Sequence, residues 1–185
     1  MEVTLQGSSQ AKGHITQATL ANGIGWGLVG GLAGTLVMDL ILMGALSAAG
    51  LPALTCYSIV GNTVARFFSI LGIEIAGGVL PGVATHYLVG PVVGAIFGAA
   101  VAGATVARVD ALRVDTLKRG IILAVLYVEI LAQPILAMTP ILLKMTAAET
   151  LLWFGGSFVM HFLFGVVLGA IVSFGLRLAS AGNRN

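Results

Sequence analysis

Residues 86–96 read His-Tyr-Leu-Val-Gly-Pro-Val-Val-Gly-Ala-Ile, and residues 161–171 read His-Phe-Leu-Phe-Gly-Val-Val-Leu-Gly-Ala-Ile. Seven of the eleven positions are identical, at an offset of 75, and both stretches lie inside long apolar runs. Each stretch opens with a histidine, which is costly inside a membrane span and therefore marks a functional hypothesis. The repeat predicts a duplicated two-helix hairpin with a polar site near the axis that relates the copies.

The composition around these stretches indicates a membrane protein. The chain of 185 residues is 58% hydrophobic and 9% charged, with a mean hydropathy of +1.04. Soluble domains carry about 25% charged residues. So few polar side chains cannot cover a water-facing surface, so we expect the lipid bilayer to surround the chain. The sequence has no soluble domain beside the apolar runs, and its net charge of +2 is not the footprint of a nucleic-acid-binding protein.

Four apolar runs are long enough to cross a bilayer as helices, which takes about 20 residues. The spans are predicted near 23–49, 80–106, 119–140 and 150–176. They form a single membrane domain, 21–185, which follows a polar N-terminal tail, 1–20. The sequence therefore predicts an all-α, four-helix integral membrane bundle.

The basic residues predict the orientation of the bundle. Seven of the nine lie on one side of the four-span arrangement, and only Arg66 and Lys144 lie on the other. Lys and Arg concentrate in cytoplasmic segments of membrane proteins. We therefore expect a multi-pass protein of the cell (inner) membrane with both termini in the cytoplasm. The seven residues are Lys12, Arg108, Arg113, Lys118, Arg119, Arg177 and Arg184.

With two spans in each copy, both hairpins have the same orientation, which predicts a parallel repeat about an axis along the membrane normal. The carboxylates follow the same plan, because Asp39 lies in the first span and Glu129 in the third. Their offset is 90 because the first outer loop is longer. Apolar residues recur at spacings of three and four in the added segment, 55–73, which predicts a short amphipathic helix.

Small residues recur every fourth position in three spans, so each set lies along one helix face. Such faces allow close helix approach in membranes, and the histidines and Asp39 share them. We expect these faces to point into the bundle or an oligomer interface. The predicted packing glycines are Gly27, Gly31, Gly90, Gly94, Gly98, Gly165 and Gly169.

The polar residues within the spans form a short set of candidate site residues. They are Asp39, His86, Glu129, Gln133 and His161. At 1.5 Å per residue, Asp39 and His161 each lie roughly 24 Å from the cytoplasmic ends of their spans. This matched depth predicts that Asp39 and His161 are the closest acid–histidine pair.

Four interpretations of these residues remain open. The inward polar groups could only fix helix register through interhelical hydrogen bonds. They could form a proton or cation path, since buried acids and histidines titrate near physiological pH. They could bind a transition metal. Finally, His86 and His161 lie on parallel, glycine-faced helices, which resembles the bis-histidine haem core of membrane b-type cytochromes.

The glycine pattern of 27–39, together with the later His-aromatic-Leu-x-Gly-x-x-x-Gly stretches, resembles small prokaryotic inner-membrane proteins of the YagU-like type. The resemblance implies a four-helix bundle and no activity. There is no G-x-S-x-G or H-E-x-x-H motif, and the lone Cys56 excludes an intrachain disulfide. The sequence therefore favours a non-enzymatic subunit of a membrane complex or a homo-oligomer, with an inward-facing acid/histidine site. The alternatives are a small proton or cation/metal transporter and a b-type haem-binding electron-transfer subunit with bis-histidine ligation. The candidate cofactors are haem b and a transition metal.

Overall fold

The computed structural model describes residues 3–107, 109–112, 114 and 116–182, and this part of the chain is helical. Its α-helices are α1 (Val3–Ala48), α2 (Thr55–Ile70), α3 (Val79–Ala107), α4 (Leu117–Leu143) and α5 (Ala147–Gly182). A short 3₁₀ turn, Asp110–Leu112, lies between α3 and α4.

Four of the helices are long and apolar enough to cross a membrane, which confirms the predicted number of spans. The candidate spans are Thr19–Ala48, Val79–Ala107, Leu117–Leu143 and Ala147–Ala179. Because α1 begins at Val3, the polar segment before the first span is helical. Three of the basic residues that predict the orientation, Arg108, Arg113 and Arg184, lie outside the described residues.

The connections between the helices differ in length and construction. The link from α1 to α3 contains α2, whereas α4 and α5 are joined by residues 144–146 alone. In that link Lys144 adopts a left-handed conformation with φ of 53°, which ends α4. Thr146 then caps α5, because its hydroxyl accepts from the Glu149 N–H and its own N–H donates to the Glu149 carboxylate.

Helix α1 occupies the middle of the bundle, with α3 against one face and α5 against another, and α4 packs on α5. Contact between α3 and α4 is slight and is made through Tyr127, whose hydroxyl donates to the Val93 carbonyl at 3.1 Å. The Tyr127 ring also packs on Phe97 at 5.4 Å. The two hairpins therefore meet mainly along α1 and α5.

Glycines allow α1 and α3 to touch backbone to backbone. A Cβ placed on Gly94 would lie 2.8 Å from the Gly31 backbone, and Gly27 and Gly90 are as crowded by the opposite helix. On another face of α1, Gly34 receives the Phe164 ring of α5. The small-residue faces therefore account for the two contacts that place α1 at the centre.

In the second hairpin, close backbone contact between α4 and α5 depends mainly on glycines of α5. A Cβ on Gly165 would lie 2.7 Å from the Val125 Cα, and one on Gly169 would lie 2.6 Å from the Ile121 Cα. The facing residues of α4 are mostly larger, apart from Gly120. The buried core between the hairpins contains Met38, Phe97, Val101, Ala124, Val128, Phe164, Leu168 and Val172.

Candidate buried polar site

The most buried ionisable group of the described residues is Asp39, which lies on α1 and is 3% exposed. One turn earlier, the Thr35 hydroxyl donates a hydrogen bond to the Gly31 carbonyl of the same helix at 3.0 Å. That arrangement lets α3 approach closely, with Gly90 against the Thr35 hydroxyl. Asp39 is one turn after Thr35 on α1, and His86 is one turn before Gly90 on the antiparallel α3, so the same close approach brings Asp39 beside His86.

The Asp39 carboxylate pairs with the imidazole of His86. His86 Nδ1 lies 2.9 Å from Asp39 Oδ1, and the ring N–H donates to the carboxylate. The other oxygen, Asp39 Oδ2, is buried and makes no hydrogen bond of normal geometry among the described residues, although the Tyr57 and Tyr87 hydroxyls lie near the carboxylate. A buried acceptor without a partner is costly, so this oxygen is a place for a proton, a water molecule or another donor.

Helix α2 covers this pair with Tyr57. The Tyr57 ring meets the His86 ring edge to face at 5.2 Å, and Tyr57 is 6% exposed. The backbone of α2 lies directly on α3, because a Cβ on Gly82 would lie 2.8 Å from the Tyr57 Cα. Tyr57 is a site residue that the sequence interpretation missed, because the sequence pattern of the loop does not specify where α2 packs.

The environment of Asp39 extends to the ionisable groups of α2. Burial, followed by the nearby Asp39 carboxylate, raises the pKa of Tyr57 well above its usual range. Burial, followed by the charge of Asp39, raises the pKa of the Cys56 thiol to about 12. Both groups therefore stay protonated at neutral pH, and Cys56 is not an activated nucleophile.

His161 does not join this pair, so the expectation that Asp39 and His161 are the closest acid–histidine pair is wrong. The His161 ring Nδ1 lies 2.7 Å from the Ser157 carbonyl, one turn earlier on α5. The depth argument failed because it counted residues from assumed helix ends. The true register is fixed by the glycine contacts between α1 and α3, which bring His86 level with Asp39.

Glu129 and Gln133 form a second polar group, on α4. The Gln133 Nε2 donates to Glu129 Oε2 at 3.1 Å, and Glu129 Oε1 is buried without a partner among the described residues. Both side chains line a groove of about 550 Å³ between α4 and α5. The remaining lining residues are Ile130, Phe154, Gly155 and Phe158. The five polar residues predicted from sequence therefore divide among separate places.

The metal and haem interpretations find no support in this arrangement. No three His, Cys, Asp or Glu side chains come together as a metal-binding group in the described residues. The glycine faces that a haem would need are already filled, Gly90 by Thr35 and Gly165 by Val125. Moreover, α1 lies between α3 and α5, the two helices that carry the histidines.

Comparison with known proteins adds no relative to this description. No protein-family model, no curated protein and no solved structure matches the chain.

Proposed function

We propose that this protein is a non-enzymatic integral membrane subunit that assembles with a second copy of itself through the groove between α4 and α5. The observation that carries the proposal is the orphaned Glu129 Oε1 in that groove. Glu129 lies near the middle of α4, and a buried carboxyl oxygen without a donor is costly at membrane depth.

The burial of α4 supports an additional partner. In its most apolar window 11% of the residues are buried, against 33% to 39% in the other three spans. Positions on α5 that border the groove also have space, because a Cβ on Gly155 would meet nothing within 4 Å. The groove thus combines room for a neighbouring helix with a polar group that needs one.

The chemistry of the groove is self-complementary. The Gln133 amide has two N–H donors and uses one within its own helix, while Glu129 keeps one free acceptor. Pro134 also lacks the N–H that would bond the Ile130 carbonyl, which adds an acceptor. Across a twofold axis, each Gln133 would donate its second N–H to the other copy's Glu129, an isologous contact.

Photocrosslinking in native membranes tests the proposal. A photoreactive phenylalanine analogue at Phe158, which borders the groove, should give a product with twice the mass of the chain. The same analogue at Leu88, which is 68% exposed on α3, should give none. Gln133→Met should reduce the Phe158 product, whereas Ile135→Met, on the other side of α4, should not. Monomers in lipid nanodiscs together with no product at Phe158 would overturn the proposal.

A small proton or cation transporter is the second candidate, and the buried pair of Asp39 and His86 favours it. Acid and histidine side chains inside membrane spans commonly mark ion pathways and proton relays. Proteoliposomes with an internal pH dye provide the test. Proton entry above that of empty vesicles, lost in Asp39→Asn and kept in Gln133→Met, would establish this function. Equal entry with wild type and Asp39→Asn would exclude Asp39 as the carrier.

We also propose that the two hairpins arose by duplication. In each hairpin, the glycines one and two turns after the histidine pack on the other long helix of that hairpin. Gly90 and Gly94 pack on α1, and Gly165 and Gly169 pack on α4. The α2 segment is then an insertion into the first copy, with an apolar face on α3. Single-chain fusions that exchange the two hairpins would test whether the copies are interchangeable.

The orientation is a separate proposal, with both termini in the cytoplasm as the basic residues indicate. A cysteine at Ser180, in a Cys56→Ala background, should react with an impermeant maleimide only after the membrane is permeabilised. Reaction in intact cells would reverse the orientation.

A further inference from the structure

A polar cleft lies at the end of the bundle where α4 ends. It has a volume of about 420 Å³ and is formed by α2, by the segment that follows α2, and by Leu143. Its side chains include one cation, one anion and two neutral polar groups, which are Arg66, Glu74, Asn62 and Ser69. The cleft is distinct from the Asp39 pair and from the groove that contains Glu129.

The two charges of the cleft do not neutralise each other. No carboxylate oxygen of the described residues lies within 4.0 Å of the Arg66 guanidinium nitrogens. Glu74 accepts a hydrogen bond from the Ser69 hydroxyl at 3.0 Å, which holds its carboxylate in place through one oxygen. The guanidinium and the second carboxylate oxygen are therefore both available to a ligand with charges of both signs.

The position of the cleft matches the level of lipid headgroups. Leu143 is the last residue of its span, so the cleft lies where hydrocarbon gives way to water. Exposed apolar side chains lie in the segment after α2, which forms part of the cleft wall; they are Leu71, Ile73 and Ile75. Apolar surface beside a charged cleft suits a molecule whose head is zwitterionic and whose tails are hydrocarbon.

We propose that this cleft binds the headgroup of a phospholipid that carries a phosphate and a primary ammonium. The Arg66 guanidinium binds the phosphate through charge-assisted N–H bonds. The ammonium donates to the Glu74 carboxylate, and the Asn62 amide is within the same cleft for the remaining polar atoms. The acyl chains lie along the apolar side chains of α2 and the segment after it.

Native mass spectrometry of the full chain, with lipids of matched acyl chains, tests this assignment. Phosphatidylethanolamine should bind about fivefold more tightly than phosphatidylcholine, whose quaternary ammonium has no N–H, and than phosphatidylglycerol, which has no cation. Arg66→Gln should reduce phosphatidylethanolamine to the level of phosphatidylcholine. Lys118→Gln, which removes the same charge at the opposite end of α4, should leave the preference intact.

Glu74→Gln distinguishes a change in headgroup recognition from a loss of structure, because this variant should bind phosphatidylglycerol more tightly than the wild type does. With the carboxylate gone and Arg66 kept, phosphatidylglycerol should bind at least as well as phosphatidylethanolamine. Equal binding of all three lipids by the wild type, or an unchanged preference in Glu74→Gln, would overturn the proposal. Soluble glycerophosphoethanolamine should compete more than tenfold less well than the lipid; competition at equal strength would indicate a soluble phosphoamine ligand instead.

Discussion

Each of the two hairpins carries an acid on its first long helix and a histidine on its second, yet only one hairpin joins them. In the first, Asp39 and His86 pair across α1 and α3 at 2.9 Å. In the second, Glu129 bonds to Gln133 and His161 to the Ser157 carbonyl, each within its own helix.

The neighbouring residues explain the difference. Four positions after Glu129 stands Gln133, whose amide reaches back to the carboxylate, whereas four positions after Asp39 stands Met43, which has no donor. The first hairpin is also covered by α2, while the link of the second has no such helix. One Glu129 oxygen is therefore paired within α4, whereas Asp39 obtains its hydrogen bond from the neighbouring helix. Whether an acid pairs with another helix therefore depends on whether its own helix carries a hydrogen-bond donor four positions later.

The largest expected effect removes the close contact on which the first pairing depends. Gly94→Leu would place a branched side chain against the backbone of Gly31, so the free energy of unfolding should fall by about 3 kcal/mol. Gly169→Leu should have a comparable effect on α4 and α5. Thermal unfolding in detergent measures both. The matched control is Gly103→Leu, on the same helix as Gly94, since that position is open, and three equal results would contradict the role of the glycine contacts.

The next effect compares the two histidines directly. His86→Ala removes the one hydrogen bond of normal geometry to the buried Asp39 carboxylate and should cost about 2 kcal/mol. His161→Ala loses a bond within one helix and should cost about 1 kcal/mol or less. Adding Asp39→Asn to His86→Ala should recover part of the loss. Equal destabilisation by the two histidine variants, measured by thermal unfolding, would remove the distinction between the hairpins.

A smaller effect is expected when Asp39 is given a hydrogen-bond donor on its own helix, as Glu129 has in the second hairpin. Met43→Gln gives Asp39 an amide four positions away, as Glu129 has in Gln133, and the pairing of Asp39 with His86 should weaken. A double-mutant cycle of Asp39→Asn and His86→Ala, in both backgrounds, measures the coupling. We expect it to fall by about 0.5 kcal/mol with Gln at position 43. Met43→Leu is the control and should leave the coupling unchanged.

The smallest effect concerns reactivity and not stability. Because the pKa of Cys56 is raised to about 12, its maleimide reaction should be slow and should rise about tenfold per pH unit through pH 10. Asp39→Asn removes a negative charge that disfavours the thiolate, so it should lower the pKa and speed labelling at pH 8. Burial still opposes ionisation in that variant. A rate that levels off near pH 8.5 in wild type would contradict this environment.

The four spans and the small-residue faces could be predicted from sequence because both depend on local patterns. Hydropathy fixes the spans, and the spacing of Gly90 and Gly94 places them on one face whatever they touch. The choice of His86 over His161 as the partner of Asp39 could not be predicted, since it depends on the register of two helices far apart in sequence. The cover by Tyr57 likewise requires the packing of α2 on α3, which the sequence pattern of the loop does not specify.

The unequal links have a consequence for the order in which the hairpins form. Residues 144–146 join α4 to α5, whereas residues 49–78 separate α1 from α3, a tenfold difference in length. By loop-closure entropy alone, bringing the second pair together is easier by about 2 kcal/mol. Local contacts form fastest, so α4 and α5 associate soon after both are inserted. Bringing α1 and α3 together has the larger loop-closure entropy cost. When α2 folds onto α3, the flexible segment between α1 and α3 becomes shorter, which reduces that cost. The hairpin that is synthesised first therefore relies on α2 to bring α1 and α3 together, while the hairpin that is synthesised last closes through a three-residue link.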